Sequence, residues 1–201
     1  MRRILTAALA LALLGPAAAF AQQPAAAPAA GETPPAIVDR AEAEAFLGLF
    51  AGTWRGQGDS RAALEDPFEE TRCNLTMTWD VATATLTNGG RCSTVRGRID
   101  IDGSVTLLAD LTLAGGFFSG FQNAELINST GQLFGDRFYV EATYRVTQPN
   151  REPQDLTVQI WVSKPGLQPD GRFAFGLIAQ ALDPAIQAFV DVSNLVFVRS
   201  N

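Results

Sequence analysis

Carboxylates are the first residues in this chain that could do chemistry: Glu65-Asp66 and Glu69-Glu70 form its only dense acidic cluster. Two carboxylates held close together can divide general-acid and general-base duty. A solvated loop between two strands explains the cluster as well, and that is the reading taken. The run Asp100-Ile101-Asp102-Gly103 resembles part of a calcium loop, but the further oxygen donor and the late Glu that an EF-hand needs are not there. Asp102-Gly103 is read instead as a hairpin turn. The 201 residues contain no histidine, which removes Ser-His-Asp and Cys-His nucleophiles, the usual zinc sites and an imidazole pH switch. Neither a Gly-x-Ser-x-Gly elbow nor a phosphate-cradling glycine loop occurs. No catalytic residue, metal ligand or cofactor is assigned.

Cys73 and Cys92 are the only cysteines. Without Cys-x-x-Cys spacing or a neighbouring His to lower a thiol pKa, the pair reads as a structural disulfide. The aromatics carry more functional content. Phe117, Phe118 and Phe121 surround Gly120 beside Gly115-Gly116. This grouping could line the mouth of a cavity, or it could be a corner of the core. Trp79, Trp161, Tyr139 and Tyr144 fall in alternating segments and could face an interior.

The elements that must position these groups begin after residue 36. Residues 1–21 carry Arg2-Arg3, an apolar run from Ile4 to Leu14 and the exit Ala19-Phe20-Ala21, the pattern of a secretory signal peptide. Export would place the protein in the periplasm. Residues 22–36, rich in Ala and Pro, read as a flexible tether, and residues 37–201 as a single domain. Loss of Arg2 and Arg3 takes the formal charge from −6 to −8. That balance excludes nucleic acid as an expected partner.

Within the domain, Ile37, Ala41, Ala45 and Leu49 predict a short amphipathic helix over 36–50. Next comes Arg72–Trp79, where Cys73, Leu75, Met77 and Trp79 alternate with polar residues. Its partner is expected to start at Thr83–Thr87, turn through Asn88-Gly89-Gly90 and continue from Arg91 to Ile101, bringing Cys92 beside Cys73. Further segments run from Val105 to Leu113, Phe117 to Leu126, Arg137 to Val146, Asp155 to Val162, Phe173 to Leu182 and Phe189 to Arg199. Gly115-Gly116, Asn128–Gly131, Gly135-Asp136, Gln148–Gln154 and Lys164–Gly171 separate them. Asp183–Ala188 is read as one helical turn, with Asp183 as cap and Pro184 at its first position. The sum is an all-β, antiparallel barrel of about 8–10 strands with a short N-terminal helix. Short strands without aromatic girdles argue against an integral outer-membrane barrel.

The short helix, Gly52-x-Trp54 on the first strand and Arg199 near the end of the last resemble the lipocalin-like (calycin) superfamily. That resemblance implies that Trp54 plugs one end of the barrel under Arg199, whose guanidinium can lie on an indole face while bonding loop carbonyls. A ligand would then enter at the opposite end, where Trp79, Phe117, Phe118, Phe121 and Trp161 are expected to form the site. The expected function is to bind or carry a small apolar or amphipathic molecule. The alternative is a module whose rim loops hold a protein partner, as in small periplasmic proteinase inhibitors, which share a signal peptide, one disulfide and an early Trp. An enzyme working through carboxylates, tyrosines and arginines is the third reading.

Overall fold

The structure, a computed structural model, describes residues 35–120, 124–147 and 152–200. The expected signal peptide, nearly all of the expected tether and Phe121 lie outside the described residues. One helix, α1 (Arg40–Gly48), precedes β1 (Gly52–Ser60), β2 (Glu69–Asp80), β3 (Thr85–Thr94), β4 (Gly97–Leu107), β5 (Thr112–Ser119) and β6 (Ala124–Leu133). Then follow β7 (Arg137–Val146), β8 (Gln154–Ser163), β9 (Gly166–Leu167), β10 (Phe173–Asp183) and β11 (Ala188–Arg199).

Strands β1 to β8 pair in chain order, β8 pairs with β10, β10 with β11, and β11 returns to β1. Every pairing is antiparallel, so ten of the described strands close a barrel, with the two-residue β9 appended to β10. Closure gives each of those ten a paired neighbour on both sides. Inward positions are apolar, as in β2, where Cys73, Leu75 and Met77 are buried and Arg72, Asn74 and Thr76 are exposed. Outward positions of β1 to β4 carry Arg55, Arg72, Arg91 and Asp100. This is the inverse of a transmembrane barrel, whose outer band is apolar and whose interior is polar. No described helix is long and apolar enough to cross a membrane.

The helix starts four residues later than the expected Ala36, at a cap: Asp39 accepts a hydrogen bond from the Glu42 amide at 2.8 Å, satisfying one free N–H of the first turn. Its buried face differs from the expected ladder. Ala41 and Ala45 are exposed, whereas Ala43, Phe46 and Leu47, continued by Phe50, face the barrel. A strict four-residue ladder drifts around a 3.6-residue helix, while spacing of three, four and seven keeps one face. Phe50 then reaches the barrel axis, with its ring centroid 5.4 Å from Phe138 and 5.2 Å from Phe175.

Several expected turns are strand interiors. Asn88-Gly89-Gly90 lies inside β3, Asp102-Gly103 inside β4, Gly115-Gly116 inside β5 and Asn128–Gly131 inside β6. A Cβ on Gly90, Gly103, Gly115 or Gly131 would collide with a carbonyl oxygen on an adjacent strand. Close backbone approach, not chain reversal, selects glycine there. Reversals instead use Ala84, Leu111 and Gln187, all with positive φ. Residues 183–188 form a tight hairpin turn rather than a helical one: Asp183 pairs with Ala188, and the Asp183 carboxylate accepts the Ala185 amide at 2.8 Å.

The disulfide joins Cys73 to Cys92 in direct cross-strand register between β2 and β3. Both cysteines are buried in the core cluster. With 19 residues of sequence separation, the cross-link stabilises the fold by about 3 kcal/mol on the chain-entropy account.

Candidate functional site

The two ends of the barrel are built differently. At the helix end, Trp54 is fully buried and its indole N–H donates to the Phe50 carbonyl at 2.7 Å. Arg199 lies opposite Trp54 in the β1–β11 register. Its guanidinium carbon sits 4.9 Å from the Trp54 ring and 4.7 Å from that of Phe173, while Nη2 donates to the carbonyls of Leu49 (2.7 Å) and Ala51 (3.0 Å). The helix-to-strand turn, the indole and the last strand are therefore locked together. Behind them Phe50, Phe117, Phe138, Phe175 and Phe197 fill that half of the barrel, with the last two rings stacked at 4.9 Å.

The opposite end keeps a cavity of about 260 Å³. Cys92 from β3, Ile101 from β4, Phe118 from β5, Ile160 from β8 and Leu195 from β11 form its apolar wall. Ser60 and Thr71 supply a polar side, with their hydroxyls 2.6 Å apart. The loop between β1 and β2 borders the mouth. Arg61 donates from its backbone to Val192 (2.9 Å) and from its side chain to the carbonyls of Asp191 (2.8 Å) and Leu64. Leu64 packs on the cluster of Ala142, Tyr144, Val158 and Ala181. On the other flank, Arg96 in the β3–β4 turn bridges Asp66 (2.6 Å) and Glu69 (2.5 Å). The Asp66 hydrogen bond, with both carboxylates nearby, raises the Arg96 pKa further. Half of the acidic cluster thus fastens the rim loop, and Glu70 pairs with Arg72 at 2.8 Å.

Two β-bulges meet at this cavity. On β5, Asp102 opposes Ser119 and Ser104 opposes Gly116, so Phe117 and Phe118 together face Gly103. Gly103 is at an inward position without a side chain, and both rings pack inward beside it. Phe118 adopts φ 55°, a conformation bulky residues avoid. Its amide, turned out of the ladder, donates to Asn88 Oδ1 at 3.2 Å. On β11 the extra residue is Val192, beside Ser193, and both line the cavity. Bulges near a barrel rim re-aim side chains in this way.

Of the four described residues expected to form one site, Phe118 alone lines the cavity. Phe117 is fully buried beneath it, edge-on to Phe138 at 5.3 Å. Trp79 is at the helix end of β2, where a Cβ on Gly48 would stand 3.7 Å from its ring. Trp161 faces outward on β8, 4.5 Å from Tyr139 and under Arg137 at 5.9 Å. Phe121 lies outside the described residues. Alternation places Trp79 inward but says nothing of which end it occupies, and Trp161 falls between the inward Ile160 and Val162. Tyr144 does face inward, and burial raises its phenol pKa, with Asp102 adding to the shift. Among the lining residues missed, Ile101, Ile160 and Leu195 sit at inward parity on their strands without other distinction in sequence, and Ser60 and Thr71 carry no motif.

Among the described residues no group of three or more metal-ligating side chains comes together. A shallow concavity of about 1050 Å³ is on the outer face of β11, β1 and β2, where Arg55, Arg72 and Arg172 surround Val196 and Val198. No protein-family model, no curated protein and no solved structure matches the chain.

Proposed function

We propose that this chain is an exported, periplasmic, lipocalin-like barrel that binds or carries a small apolar or amphipathic molecule at its open end. One observation carries the reading: an aromatic plug fills the helix end while the opposite end keeps an apolar-walled cavity of about 260 Å³. A cavity of about 150 Å³ lined by aliphatic and aromatic side chains holds one benzene. By that scale this one suits a guest of roughly ten non-hydrogen atoms. Such a volume favours a short-chain or monocyclic compound over a haem or a full lipid. The junction of α1, Trp54 and Arg199 supports the lipocalin-like assignment, with ten strands where a lipocalin has about eight. The basic and apolar opening sequence and the Cys73–Cys92 bond support an oxidising, exported location.

The test is a titration with p-cymene followed by methyl NMR. Saturable binding of one molecule per chain, with shifts at Ile101, Ile160 and Leu195, is expected. Phe118→Asp should abolish it without unfolding the barrel, because Asp tolerates positive φ better than Phe while its carboxylate makes the wall polar. Absence of saturable binding by the wild-type protein overturns the proposal.

A further inference from the structure

We infer that Asn88 is the polar anchor of this ligand site, so that the guest is an apolar molecule bearing one neutral carbonyl oxygen. The inference rests on the cavity reading above and adds the chemistry of its ligand. Asn88 is on the inward face of β3, only 4% exposed, next to Gly103 in the β3–β4 register. The missing side chain of Gly103 lets the Asn88 amide reach past β4 to the bulge on β5; a Cβ there would stand 3.1 Å from Asn88 Oδ1. Because the Phe118 N–H can only donate, the oxygen of the Asn88 amide must face it. That orientation turns Nδ2 away from the bulge, and Nδ2 is buried with no hydrogen-bond partner among the described residues.

A buried amide donor without an acceptor is a condition that folded proteins rarely retain. Here it adjoins the one cavity-lining aromatic whose backbone is strained. Phe118 touches both groups: its ring lines the cavity and its amide bonds Asn88. Asn88 stands just behind the cavity wall, not in it; in the proposed complex the Phe118 ring turns aside and the guest's oxygen meets Nδ2. Strain of this kind is often kept where a group has to move. The inward neighbours of Asn88, namely Met77, Leu86, Ile101 and Val105, carry no charge. An anionic oxygen would lose its hydration there with nothing to replace it, whereas a ketone or ester oxygen needs only the N–H.

The experiment compares two guests of the same shape, p-cymene and 4-methylacetophenone, which differ by an isopropyl against an acetyl group. After correction for their water solubilities, the ketone should bind the wild-type protein about three- to tenfold more tightly, the range of one hydrogen bond. The Asn88 side-chain amide resonance should move with the ketone and stay in place with p-cymene. Asn88→Leu, similar in size and without a donor, should lower the ketone-to-hydrocarbon affinity ratio by that same factor. If the variant does not fold, the amide resonance of the wild-type protein decides. p-Cymene binding with no ketone advantage and no movement of the Asn88 amide overturns this inference and leaves the cavity reading standing. Failure of both compounds to bind overturns both.

Discussion

Arg199 joins the closed end by two kinds of interaction at once. Its flat guanidinium lies on the Trp54 and Phe173 rings while Nη2 reaches two carbonyls of the helix-to-strand turn. A lysine ammonium cannot stack on two rings and keep that fork. Arg199→Lys should therefore lower stability by about 1–3 kcal/mol in urea denaturation, leaving carbonyls underserved. Trp54→Ala should cost about 3–5 kcal/mol. For a domain of this size that is roughly a 10 °C fall in Tm. Since neither Trp54 nor Arg199 lines the cavity, p-cymene affinity should change little in either variant. The two tyrosines make a pH prediction. Burial raises the pKa of both Tyr139 and Tyr144, with Glu141 adding to the shift for Tyr139 and Asp102 for Tyr144. A raised folded-state value means the folded chain holds its protons more tightly than the unfolded one. That contribution is complete below about pH 10, the unfolded tyrosine value, and is lost as pH rises through the folded-state values. Ultraviolet titration should show phenolate forming above pH 10 in the folded protein and near pH 10 in denaturant; ordinary titration in both would contradict the burial.

Among the elements, the disulfide and the inward set of β2 were legible because strict alternation fixes which side chains share a face. Glycine misled because two different demands select it. Gly89 and Gly90 are neighbours in β3, yet a Cβ on Gly89 meets nothing within 4 Å whereas one on Gly90 collides with the Asn74 carbonyl. Gly89→Ala should be neutral or stabilise by up to about 1 kcal/mol, and Gly90→Ala should destabilise by more than that. Equal effects would show that crowding is not what keeps Gly90 in the strand. Bulges were illegible for a related reason. Whether Phe117 and Phe118 point the same way depends on the pairing of β5 with Gly103 across the sheet, and no local pattern encodes a pairing between strands. The same blindness hid Asn88, whose type and glycine neighbours match a turn while its partner is an amide two strands away.

At the scale of the whole molecule, the barrel is unevenly sewn. Strands β2 and β3 pair over nine residues, from Arg72–Ser93 to Asp80–Thr85, but β5 and β6 pair only at Thr112–Gln132 and Leu113–Gly131. Farther along that seam, the Gly115 amide uses the Ser129 hydroxyl at 2.7 Å in place of a backbone carbonyl. Hydrogen exchange should be fastest for amides of β5 and β6 that face each other and slowest in β2 and β3. Uniform protection around the ring would contradict this uneven closure. The seam is on the strand that carries Phe118, so the least protected part of the wall is beside the cavity. The molecule is packed solid at the Trp54 end and hollow and apolar at the other. Xenon enters apolar cavities of this kind, so a crystal structure determined under xenon pressure tests this directly. A xenon peak is expected within the wall of Ile101, Phe118, Ile160 and Leu195 and none between Trp54 and Phe175; an empty open end, or a peak inside the aromatic plug, would show that the packing is not divided in this way.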